Sequence, residues 1–132
     1  MDRERLYGDA KATARAADTQ RRQKVLAVAE EAYHAEHTAE TRMAYARALL
    51  DVGRYKDAEA LLAKLLEDAG GDIQLTCDMA FVYKNLDRTD QAKEMFRKVI
   101  EIDPKHALAR CAENELWMLD SSYRPSWMQA EK

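Results

Sequence analysis

Five apolar positions in one segment reappear in a second segment, each displaced by the same 34 residues. In DAEALLAKLLEDA, from Asp57 to Ala69, they are Ala58, Leu61, Leu62, Leu65 and Leu66. In DQAKEMFRKVIEIDPKHA, from Asp90 to Ala107, they are Ala92, Met95, Phe96, Val99 and Ile100. Both sets follow the spacing of one apolar helical face. The register continues upstream: Ala46 aligns with Ala80, Leu49 with Tyr83 and Gly53 with Asp87. A fixed period of this kind marks a supersecondary unit that cannot bury its apolar face alone and must stack on its neighbours.

Each unit reads as helix, short turn, helix. Gly53 suits the end of a helix because glycine tolerates positive φ. Asp87-Arg88-Thr89 stands in the equivalent turn, with Thr89 as a cap for the next helix. Gly70-Gly71 closes the first unit, and Asp72 caps a helix starting at Ile73. Pro104 ends the second unit and opens the next, since proline cannot continue a helix but fits a first turn. The core must be built mainly from Ala, Leu, Val, Ile and Met, because 47% of the residues are hydrophobic but only 8% aromatic. With four glycines and two prolines, the chain lacks the turn residues of a sheet protein.

A 34-residue helix–turn–helix period resembles the tetratricopeptide repeat family. The resemblance is carried by small residues at Ala46 and Ala80, and by Tyr83 with Leu49 as its substitute. It is carried further by Gly53 and Tyr55 in the turn, Ala58 and Ala92, Leu62 and Phe96, and the terminal Pro104. Arg42 and Thr76 stand where the family often has tryptophan, Gly70 replaces the first proline, and Asp87 and Thr89 replace the second glycine and tyrosine. The resemblance implies an all-α, right-handed α-solenoid of antiparallel helix pairs, with an N-terminal helix and a C-terminal capping helix.

The domain organisation follows from the same period. Residues 18–120 form the repeat domain, with clear repeats at 39–72 and 73–106 and a capping helix at 107–120. Residues 1–17 form a polar arm, partly helical or disordered, and residues 121–132 a tail. The helix from Lys24 to His37 shows Val25, Val28, Ala29, Ala32 and Tyr33 as its apolar face and takes its start from Asp18 or Thr19. Thr38 caps the helix after it. In the capping helix Cys111 follows Cys77, and Trp117 follows Tyr83, by one period. Glu113 and Asn114 replace Met79 and Ala80, as in a helix whose outer side meets solvent. The tail carries Tyr123, Trp127 and Met128, and three placements are open: cover for the last helix, its own groove, or a neighbour's groove.

In the family that the chain resembles, successive first helices line a concave groove for peptides or helices. The same period puts Met43, Arg47, Leu50, Gln74, Cys77, Phe81, Lys84, Leu108, Cys111, Glu115 and Met118 on that surface. Met43, Leu50, Cys77 and Phe81 form an apolar floor, with Arg47 and Lys84 adding positive charge, a mix that suits an apolar segment of some acidic character. Phe81 has a second reading, as core. A sub-type of the family clamps carboxylates with Lys, Asn and Arg. Met43, Arg47 and Asp78 fall at the matching positions and do not meet that pattern. The expected function is a protein–protein interaction module, an adaptor or small chaperone. The alternatives are a self-associating structural protein, pairing through the tail, and an accessory subunit of a bacterial secretion or assembly machine.

Other chemistry has little support. His34 and His37 share a helix side near Glu30 and Glu31, but a metal site needs further ligands and a second shell. No phosphate loop or nucleophile–base pattern is present, so neither catalysis, cofactor nor metal is expected. The net charge of −3 gives no electrostatic footprint for nucleic acid. Cys77 and Cys111 read as small buried hydrophobes. Two thiols without an apolar leader segment point to a reduced, cytoplasmic protein, and no stretch reaches the length needed to span a membrane.

Overall fold

The computed structural model describes residues 3–129, with side chains from residue 8 to residue 128. Among these residues there are seven helices and no strand. They belong to two compact units, Met1–Arg54 and Tyr55–Lys132. The division falls inside the first clear repeat.

The first unit pairs α1 (Arg3–Ala35) with α2 (Ala39–Asp51). Its first helix differs from expectation in two ways. It does not begin at Asp18 or Thr19 but runs unbroken from Arg3. Asp18 lies inside it and binds Arg22 one turn on at 3.0 Å, while the surrounding Ala, Arg, Gln and Lys residues are good helix formers. The buried face is also different. Leu26 and Ala29 are buried and Tyr33 half-buried, whereas Val25 is 53% and Val28 67% exposed. Two apolar stripes overlap in this helix, and the leucine stripe is the one that packs on α2. Thr38 caps α2 as expected: its hydroxyl accepts from the Thr41 amide at 3.1 Å, and the Thr41 hydroxyl accepts from the Thr38 amide at 3.0 Å.

The second unit contains α3 (Tyr55–Asp68), α4 (Ile73–Asn85), α5 (Thr89–Ile102), α6 (Ala107–Leu119) and the single turn α7 (Ser126–Gln129). α3 packs on α4, α4 on α5, and α5 on α6, and α4 also touches α6. The faces predicted from the period are the buried ones. Ala58, Leu62 and Leu65 are buried on α3, and Ala92, Phe96 and Val99 on α5. Phe96 is fully buried in a cluster with Cys77, Ala80, Ala112 and Leu116. The alanines have no exposed surface, and their small size lets the helix backbones approach around the phenylalanine ring. Asp72 caps α4 by accepting from the Leu75 amide at 3.0 Å.

The turns repeat in detail. Gly53 has φ 81° and Asp87, one period later, φ 59°. In the first turn the Arg54 amide donates to the Leu49 carbonyl at 2.9 Å, and in the second the Arg88 amide donates to the Tyr83 carbonyl at 2.9 Å. Thr89 is not the cap of α5. Arg88 takes that place with no side-chain cap bond, and its guanidinium pairs with Glu59 of α3 instead. α6 opens on His106, whose ring nitrogen accepts from the Leu108 amide at 3.0 Å, so Pro104 lies in the turn before the helix rather than in its first turn.

The left-handed conformation at Asp87 gives a direct test. A non-glycine residue there carries a steric cost that glycine lacks. Asp87→Gly is expected to leave stability unchanged or raise it by up to ~1 kcal/mol, and Asp87→Val to lower it by about 1–2 kcal/mol. Urea denaturation of the two variants measures the difference.

Candidate functional site

The candidate surface in the second unit is built on α4 and α6, the two first-helix positions that share contact with α5. Its residues recur every three or four positions and so fall on one stripe of each helix, at the edge of the Phe96 cluster, against which Phe81 and Leu108 pack. Gln74, Phe81 and Lys84 are half-buried on α4. Leu108, Cys111 and Glu115 are half-buried on α6, and Met118 is 79% exposed.

The structure joins several of these side chains. The Lys84 ammonium donates to Glu115 Oε2 at 2.6 Å across α4 and α6. It also lies 5.7 Å from the centre of the Phe81 ring. Phe81 meets Phe96 edge-on, with ring centres 5.3 Å apart. Its ring packs against the core, and the residue as a whole is half-buried. Gln74 donates to Asp78 Oδ1 at 3.0 Å.

Two expectations change. Cys77 is not part of an accessible floor; it is 2% exposed and belongs to the core. Burial pushes its thiol up to about 12, and the charges of Cys111, Asp78 and Glu115 act in the same direction. Lys84 does not offer an uncompensated charge, because Glu115 neutralises it. In the first unit, Met43 and Leu50 are half-buried and Arg47 exposed on α2.

Glu113 shows what the period alone concealed. It follows the buried Met79 by one 34-residue step and is itself only 9% exposed. It is not solvated. Its carboxylate accepts from the Ser126 amide at 2.9 Å, the Ser126 hydroxyl at 2.9 Å and the Tyr123 hydroxyl at 3.4 Å. A buried carboxylate needs such donors. Burial and the Glu113 charge raise the Tyr123 pKa. Pro125 is buried, Trp127 meets Trp117 edge-on at 5.7 Å, and its indole N–H donates to Asn114 at 3.3 Å. The tail thus lies on α6 within its own chain. Tyr123 and Ser126 fall two periods after Tyr55 and Ala58, a signal that was available in the sequence and places α7 as a turn of a third repeat's second helix.

The histidine pair packs in an aromatic group, with Tyr33 4.2 Å from His37 and 5.4 Å from Tyr45 between ring centres. Among the described residues no group of three or more His, Cys, Asp or Glu side chains is arranged to hold a metal ion. No helix among them is long and apolar enough to cross a membrane.

The family model for the tetratricopeptide repeat matches residues 74–106, the segment from α4 to the turn after α5. That segment is similar to one tetratricopeptide repeat. The fold of the chain is similar to the solved structure of the "MamA RS-1 ArsTM double mutant", with a TM-score of 0.67 and 20% sequence identity. The match covers 91% of this chain and spans 65% of the length of that one. No curated protein matches the chain. The repeat match and the shared fold support a helical-repeat architecture.

The two thiols of this repeat protein test the assignment of inner and outer faces. Cys111 is expected to react with a thiol reagent in the native state, and Cys77 only on unfolding. A count of labelled thiols with and without denaturant checks it. Because the Cys77 thiol ionises near 9 when unfolded and near 12 when folded, its contribution to stability is complete below pH 9 and is lost as pH rises toward 12.

Proposed function

We propose that the protein is an adaptor or small chaperone that binds a peptide or helix of a protein partner on the outward face of α4 and α6. The observation that carries this reading is the set of half-buried apolar residues Phe81, Leu108 and Cys111, with the exposed Met118, on two touching helices that the Lys84–Glu115 pair also joins. Apolar anchors in such a shallow site supply the affinity, and methionine adapts to different shapes. Lys84 is paired, so attraction for an acidic segment is weaker than the sequence implies, and shape and apolar contact carry recognition. Met43, Arg47 and Leu50 on α2 are proposed as a further contact surface.

Affinity capture from the native source, comparing the wild type with a Met118→Glu, Leu108→Gln variant, tests this reading. The variant is expected to keep its helical circular dichroism and to lose the partner by at least tenfold, as removing two apolar anchors costs about 1.5–3 kcal/mol. The bound partner is also expected to protect Cys111 from alkylation. Equal recovery by both proteins, with Cys111 equally reactive, contradicts the site.

A further inference from the structure

We propose that the protein pairs with a second copy of itself through the outer face of α1, the two helices running antiparallel. This inference stands apart from the α4 and α6 surface and does not depend on it. It begins with the length of α1. The helix has 33 residues and α2 has 13, so at 1.5 Å per residue about 50 Å of helix is paired within its unit with about 20 Å. From Gly8 to Val25 every residue except Asp18 is exposed.

The outer face also has the form of a contact surface. Val25 and Val28 are exposed, and with Ala29, Ala32 and Ala44 they line an open apolar groove of about 460 Å³. Two exposed branched residues one turn apart, beside small alanines, allow a second helix to approach closely.

The charges identify the occupant. Lys24 lies one turn before Val28 and Glu31 nearly one turn after it, both exposed and, by this spacing, on the same side of the helix. Neither makes an ion pair among the described residues. An antiparallel register centred near Val28 sets Lys24 of each copy beside Glu31 of the other, giving two equivalent pairs around a valine centre. The wider pattern agrees. Lys11, Arg15, Arg21, Arg22 and Lys24 outnumber Asp9 and Asp18 in the earlier part of the described helix, while Glu30 and Glu31 follow the valines. A parallel pair sets like charges together. A two-fold axis at Val28 makes the patch complementary to itself, as an isologous dimer requires.

Sedimentation equilibrium of the full chain tests the pairing. The wild type is expected at twice the mass of one chain. Val28→Glu, at a position already exposed in the fold, is expected to be a helical monomer. Lys24→Glu and Glu31→Lys alone each set two like-charge pairs in the interface and are expected to weaken the dimer roughly tenfold. The double variant Lys24→Glu, Glu31→Lys is expected to regain wild-type association. A wild type that stays monomeric overturns the proposal, as does a dimer indifferent to Val28→Glu. Failure of the double variant to recover overturns the antiparallel register.

Discussion

The burial of Phe96 sets the organisation of the second unit. Its ring has no exposed surface and packs among Ala80, Ala92, Cys77, Ala112 and Leu116. The residues around it come from α4, α5 and α6. A bulky group at this position demands small groups opposite, and the alanines supply them. Replacing it would cost about 3–5 kcal/mol, a large share of the stability of a small domain. The same packing fixes which face of α4 and α6 turns outward, so the candidate binding surface is a consequence of the core rather than a separate construction.

Most of this core is legible in the repeat period. A core position that recurs every 34 residues can be read from residue size alone, and Ala58, Leu62, Ala92 and Phe96 are buried where the spacing puts them. The cap at Thr38 and the positive φ at Gly53 and Asp87 follow from local backbone chemistry. Choices between stripes or between partners are not legible in the same way. α1 carries two apolar stripes, and only packing on α2 decides that Leu26 goes inside and Val25 outside. The helix continues to Arg3 because Asp18 pairs within it instead of capping it. The period sets Cys77 too far out on its helix, and it leaves Lys84 with a free charge because the partner Glu115 lies 31 residues away.

Glu113 shows how a polar residue at a core position changes the end of a repeat array. Where the preceding unit buries Met79, this one buries a carboxylate and satisfies it with Ser126 and Tyr123. The requirement for donors turns the tail back onto α6. A methionine at that position would leave the tail with its apolar contacts and the Trp127–Asn114 hydrogen bond. The substitution therefore trades adaptable packing for a specific docking geometry, while Met118 on α6 stays exposed.

The dependence of the platform on the Phe96 core is tested most directly by native-state hydrogen exchange resolved by residue. The amides of α4, α5 and α6 that lie against Phe96 are expected to be among the slowest in their unit and to open together with one free energy. α5 exchanging independently of α4 and α6, and faster than either, would contradict the account, because the outward face would then be held by something other than that core.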